Sequence, residues 1–197
     1  MKKAILLVIV VAVVLAFASL AEPIRSITWE RSNHLLESGV TVRQFFQEVD
    51  PSMLAEIPSR FHDVQIKPAS RSSLRVERQV EGDGLESILG IAISYTGSTA
   101  AKSDSRCYFG VSSTVTWPPF FRIPYMSVIG LLYGPGGLWG SCSDSGTNVW
   151  RVTENDTVSV QGGGSYSTTG IHVVELPAGY SPPMEVVYTQ TPWIQVP

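Results

Sequence analysis

Three side chains in this sequence are of the types that cleave acyl bonds. They stand in the chain order base, carboxylate, nucleophile: His62, Asp104 and Ser145. An imidazole to take the hydroxyl proton, a carboxylate to hold the imidazole, and backbone N–H groups to receive the oxyanion would make a hydrolase. The fold must bring all of them within hydrogen-bond reach. The other histidines, His34 and His172, form no two-ligand spacing on a helix and no grouping with paired cysteines, so no metal site is expected. His172, inside the apolar run Ile171–Val174, reads as the polar-face residue of a strand. Asp144-x-Gly146-x-Asn148, even with Glu154 and Asp156 added, has too few acidic positions for a calcium loop and lacks its terminal glutamate. Gly162-Gly163-Gly164 lacks the Lys-Ser/Thr pair and the helix of a phosphate loop, and reads as a flexible hairpin connection. No cofactor is expected.

The segment Cys142-Ser143-Asp144-Ser145-Gly146 resembles the surroundings of the nucleophile in trypsin-like serine proteases. The resemblance implies Ser145 as nucleophile, but it covers only these few residues. Ser143 and Thr147 stand where glycines shape the oxyanion turn, and His62 is too near Ser145 in sequence to leave room for two full barrels. A polar Ser/Asp/Gly turn accounts for the segment.

Residues 1–21 read as an address. Lys2 and Lys3 precede an unbroken apolar run from Ala4 to Ala18, and Ser19-Leu20-Ala21 puts small residues at the two positions a signal peptidase reads. A signal peptide cleaved before Glu22 is expected, with the protein secreted or periplasmic. The alternative is an uncleaved anchor: Ala4 to Ala21 supplies 18 residues, where about 20 span a bilayer core. Loss of Lys2 and Lys3 leaves 12 basic residues against 17 acidic ones, a net charge of −5. That balance argues against nucleic acid and against a polybasic membrane-surface binder. Membrane contact is expected only if the N-terminal segment is retained. Cys107 and Cys142 are the only cysteines, and an oxidising compartment would pair them. Such a bridge would contribute about 3–4 kcal/mol in the chain-entropy model.

The elements that must position these residues are mainly strands. Residues 22–69 read as a short-helix subregion packed on a β domain over 70–197. Thr41-Val42-Arg43-Gln44 fits a capping box, and Val42, Phe45, Phe46 and Val49 follow the spacing of one buried helical face. Asp50-Pro51 reads as the start of a second short helix through Glu56, which Pro58 ends. From residue 71 the period changes to two: Leu74, Val76 and Val80 alternate with charged and polar residues up to the Gly82-Asp83-Gly84 turn. Further strands are expected over Ile88–Thr96, Cys107–Trp117, Met126–Tyr133, Val149–Thr153, Thr157–Gln161, Tyr166–Glu175 and Glu185–Thr189. Glycine and proline clusters separate them, as in an antiparallel β-sandwich or barrel.

Between Cys107 and Gly146 only Arg122 and Asp144 are charged, whereas eight residues are aromatic. Tyr108 and Phe109 belong to a strand and are expected in the core. Trp117, Phe120 and Phe121 surround Pro118-Pro119, which prevents a regular central strand, and are expected to be exposed as a ligand-binding surface. The chain therefore reads as a non-catalytic exported β domain of the envelope, adhesion or ligand-binding type, whose partner is a surface polymer or another protein. Two alternatives stand beside it: a secreted hydrolase with an unrecognised site, and a secreted toxin, bacteriocin-like factor or inhibitor. For the toxin, Thr157–Gln161 and Ser165–Thr169 would form a membrane-inserting hairpin around the glycine turn.

Overall fold

The computed structural model describes residues 24–69, 74–78, 89–102 and 105–197, with the main chain alone over 74–78 and 89–90. The expected signal peptide over 1–21, Val80, the Gly82-Asp83-Gly84 turn and Asp104 lie outside the described residues.

Two helices open the described chain. In α1 (Trp29–Glu37) the Thr28 hydroxyl accepts the Arg31 N–H. In α2 (Val42–Val49) Thr41 and Gln44 form the expected capping box. The Asp50 carboxylate then accepts the Ser52 N–H and pairs with Arg25 at 3.0 Å. The turn it starts, Pro51–Glu56, is 3-10 rather than α-helical, because Pro58 leaves only six residues and the tighter bonds suit so short a piece. A second 3-10 turn covers Ser59–Phe61.

Ten strands follow among the described residues: β1 (Ile66–Pro68), β2 (Leu74–Arg78), β3 (Leu89–Lys102), β4 (Arg106–Trp117), β5 (Ile123–Gly134), β6 (Gly137–Val149), β7 (Arg151–Ser159), β8 (Ser165–Glu175), β9 (Met184–Gln190) and β10 (Ile194–Gln195). They form a β-sandwich. One sheet has the order β1-β9-β8-β5-β6 with β10 beside the start of β8, and the other β2-β3-β4-β7. Among the described residues every strand pairing is antiparallel except β1 with β9. This parallel pair ties the helical segment into the larger sheet.

The larger sheet is covered on both faces. Ile129, Leu131 and Tyr133 of β5, with Ile171 and Val173 of β8, meet Leu36, Phe45, Phe46 and Phe61 of the helical layer. The alternate residues Met126, Val128 and Val174 face Ile91, Ile93, Val111 and Val115 of the second sheet. Strands buried on both faces need no polar alternation. This is why Met126–Tyr133 reads as an apolar run broken only by Ser127, while β4 alternates.

Several sequence expectations are corrected. Ser143–Gly146 is not a turn: it belongs to β6, where Asp144 and Ser145 lie opposite Val128 and Ser127 of β5. Strands expected over 149–153 and 157–161 are one strand, β7, reached through a corner at Trp150. The glycine run 162–164 is not a hairpin. It carries the chain between sheets, since β7 pairs with β4 and β8 with β5 and β9, and this removes the membrane-inserting hairpin. Cys107 and Cys142 are free thiols rather than a disulfide. Both are buried with Phe109, Leu132, Trp139 and Tyr166, where cysteine serves as a small apolar residue. Burial pushes their pKa values up to about 11 and about 12.

Candidate functional site

The trio that would make a hydrolase is not assembled among the described residues. The His62 ring faces main-chain carbonyls instead, with Nε2 at 2.9 Å from Ile57 O and 3.2 Å from Leu54 O. Ser145 is exposed on β6, where its N–H donates to the Asp144 carboxylate at 2.8 Å. Asp144, Glu154 and Asp156 are strand residues, and among the described residues no three acidic, histidine or cysteine side chains gather to hold a metal.

His172 is not on a polar face but fully buried between the sheets. Its Nδ1 lies 2.9 Å from the Ser113 hydroxyl and its Nε2 2.9 Å from the Thr189 hydroxyl, with the Tyr95 ring 5.1 Å away. Desolvation lowers its pKa to about 3, so the ring is neutral at physiological pH. Burial, and then the charge of Glu185, raise the Tyr95 pKa. A second set of hydroxyls continues this seam: Thr99 lies 2.6 Å from both Thr168 and Thr191. The side chains are packed closely: a Cβ on Gly170 would lie 2.7 Å from the Thr189 hydroxyl and 2.9 Å from His172 Nε2. The seam belongs to the interior: the Tyr95 hydroxyl is buried there without a partner, and the Ser–His pair has no route to substrate.

The exposed chemistry lies in the β4–β5 connection. Trp117, the last residue of β4, is 61% exposed, and Phe120 is 71% exposed. The Phe121 N–H donates to Pro118 O at 3.1 Å, closing a tight turn with Pro119 second and Phe120 third. Phe120 has φ +58°. Glycine ordinarily takes such a position, because a side chain in the left-handed region costs about 1–2 kcal/mol. Its ring stands edge-on to Trp150 at the β6–β7 corner, with centroids 5.2 Å apart. Phe121 departs from expectation: it turns inward and packs half-buried against the sandwich core. Phe109 is buried as expected, whereas Tyr108 points outward beneath Lys102, whose Nζ is 5.3 Å from the ring centre. The result is a ledge on which Trp117 and Phe120 are exposed and Trp150 is half-buried beside Phe120, packed like Phe121 against the core.

Trp150 was not legible as part of this ledge, because it is about thirty positions from Phe120 and no spacing links the two. Only the corner between sheets brings it to Phe120. A second aromatic pair, Trp29 and Trp193, was missed altogether; tryptophans separated by most of the chain leave no spacing signal.

The site and fold define a mainly β domain with exposed aromatics and no assembled catalytic group among the described residues. No protein-family model matches the chain, and no curated protein matches it. Among solved structures, the chain is similar in outline to a protein of Arabidopsis thaliana known from a solution structure. The TM-score is 0.32 at 10% identity, over 66% of this chain and 88% of that one. It is also similar to a DUF3823 family protein from Bacteroides uniformis, with a TM-score of 0.28 at 9% identity, over 69% of this chain and 80% of that one. Both likenesses are slight, and neither bears on function.

Proposed function

We propose that this is an exported, non-catalytic binding domain that docks a surface polymer or another protein on the ledge of Trp117, Phe120 and Trp150. The observation that supports it is Phe120. Its backbone conformation is one that glycine adopts without strain, and its ring is left mostly in water. Stability alone would favour glycine on both counts, so an aromatic side chain here suits a partner better than it suits the fold. Rings held on a short proline-containing turn also lose little conformational freedom on binding.

The test compares the exported protein with Trp117→Ala and Phe120→Gly in binding to envelope preparations of its own cells. The expected result is at least a tenfold loss of binding with the melting temperature unchanged or higher. Binding that survives both substitutions would reject the ledge as the site.

A further inference from the structure

Strand β5 runs from the ledge to a second feature at the other end of the sandwich, a cleft of about 420 Å³ beside the β5–β6 turn. We propose that this cleft is a separate binding site for a neutral carbohydrate. Its walls are Trp29 at the start of α1 and Trp193 in the β9–β10 connection. Glu30, Ser165 and the glycine turns at 134–137 and 163–164 complete it. The two indoles pack edge to face, 5.5 Å apart at 70°, and the indole surface they leave toward the cleft suits the C–H face of a sugar ring. Hydroxyls need donors and acceptors beside such faces. Ser165, the Glu30 carboxylate and main chain uncovered by side chains supply them.

The volume lies within the range of small-ligand sites, about 300–1,000 Å³. Charge narrows the class of ligand. No lysine or arginine lines the cleft, and Glu30 would repel a phosphate, sulfate or carboxylate. The N-terminus of α1, with its partial positive charge, stands in the same wall and offsets Glu30, which disfavours a cation as well. A neutral, hydroxyl-rich ligand fits what remains. The cleft is also built before any ligand arrives. Gly134 is packed so closely on Tyr166 that a Cβ would lie 2.2 Å from the ring, and a Cβ on Gly137 would lie 2.1 Å from Arg25 O. The Gly163 N–H donates to Val196 O at 2.8 Å, and the Val196 N–H donates to Gly164 O at 2.9 Å.

The experiment titrates the full protein with maltotetraose, cellotetraose, chitotetraose and mannotetraose, followed by tryptophan fluorescence and saturation-transfer NMR. Choline and inorganic phosphate serve as the charged probes. At least one tetrasaccharide should bind with a Kd of about 1 mM or tighter. Trp193→Ala should weaken it tenfold or more, and Asp156→Asn, exposed on β7 outside both the cleft and the ledge, should leave it unchanged. Trp193 is 44% exposed, so its truncation leaves the core in place. Glu30→Gln, at an exposed helix position, is the second variant and should weaken binding at least threefold. The proposal is overturned if no tetrasaccharide binds at about 10 mM, if binding is unaffected by both cleft substitutions, or if only choline or phosphate binds. Trp117→Ala, measured beside these variants, reads binding at the ledge, so failure of the ledge and failure of the cleft are distinguishable.

Discussion

Acidification should destabilise this protein through a single buried ring. His172 is neutral in the fold with a pKa of about 3, against an ordinary value of 6.5. A group whose folded-state pKa lies below its unfolded one contributes stability that is present above about 6.5 and lost as the pH falls toward 3. Linkage over these two values gives a loss of about 2 kcal/mol between pH 7 and 5 and about 3 kcal/mol by pH 4. Domains of this size have only about 5–15 kcal/mol in total. The other groups near the ring are Tyr95, Ser113 and Thr189, none of which titrates in this window. Glu185 works in the opposite direction: burial raises its pKa, so protonation restores a little stability as the pH falls. Being partly exposed, it offsets only a fraction of the His172 effect. Urea unfolding followed by tryptophan fluorescence at pH 7, 6, 5 and 4 measures the loss, with constant m-values checking that unfolding stays two-state. His172→Gln keeps a side chain able to meet the Ser113 and Thr189 hydroxyls but cannot titrate. It should be less stable at pH 7 and nearly flat between pH 6.5 and 4. Parallel pH profiles for the two proteins would refute the assignment.

Four further outcomes are expected. Phe109→Ala, which empties a fully buried aromatic site, should cost about 3–5 kcal/mol by urea unfolding; a loss below about 1 kcal/mol would contradict its place in the core. Phe120→Gly should raise the melting temperature by relieving the positive φ, and a fall of several degrees would mean that its contact with Trp150 matters more than the strain. Unfolded, unreduced protein should react with two equivalents of a thiol reagent while the folded protein reacts slowly, because both thiols are buried; fewer than two in the unfolded chain would contradict free thiols. N-terminal sequencing of exported protein should begin at Glu22, and an intact Met1 in the membrane fraction would favour the anchor instead.

Wherever one physical cause acts over a short stretch of chain, the sequence was a reliable guide. The capping box at Thr41–Gln44 needs only four residues, and its hydrogen bonds are those the residue types dictate. The buried face of Val42, Phe45, Phe46 and Val49 follows from helical spacing, and the alternation along β4 from the pleat. Pro118-Pro119 is enough to interrupt a strand, so the exposure of Trp117 and Phe120 was also legible. Phe121 was not, since which of two adjacent rings turns inward depends on the turn geometry.

What only the tertiary structure decided is how these pieces meet. Strand β6 escaped notice because Ser143–Asn148 lies on a sheet edge, where an outward strand is as polar as a turn. The His172 environment was misread because a histidine between two sheets and one facing water have the same local pattern. Its partners Ser113 and Thr189 come from other strands. The helical layer over one face of the larger sheet set which strands are buried on both sides. The crossings between sheets at Trp150 and at the glycine run 162–164 built the ledge and the cleft. Local propensity and periodicity act through neighbours in the chain, whereas pairing, layering and burial are set by residues a hundred or more positions away, such as Ser32 against Tyr133 and Asn33 against Gln190. The sequence by itself therefore determined the class of fold and several of its elements, and the packing of sheet on sheet determined the surfaces with which the protein can act.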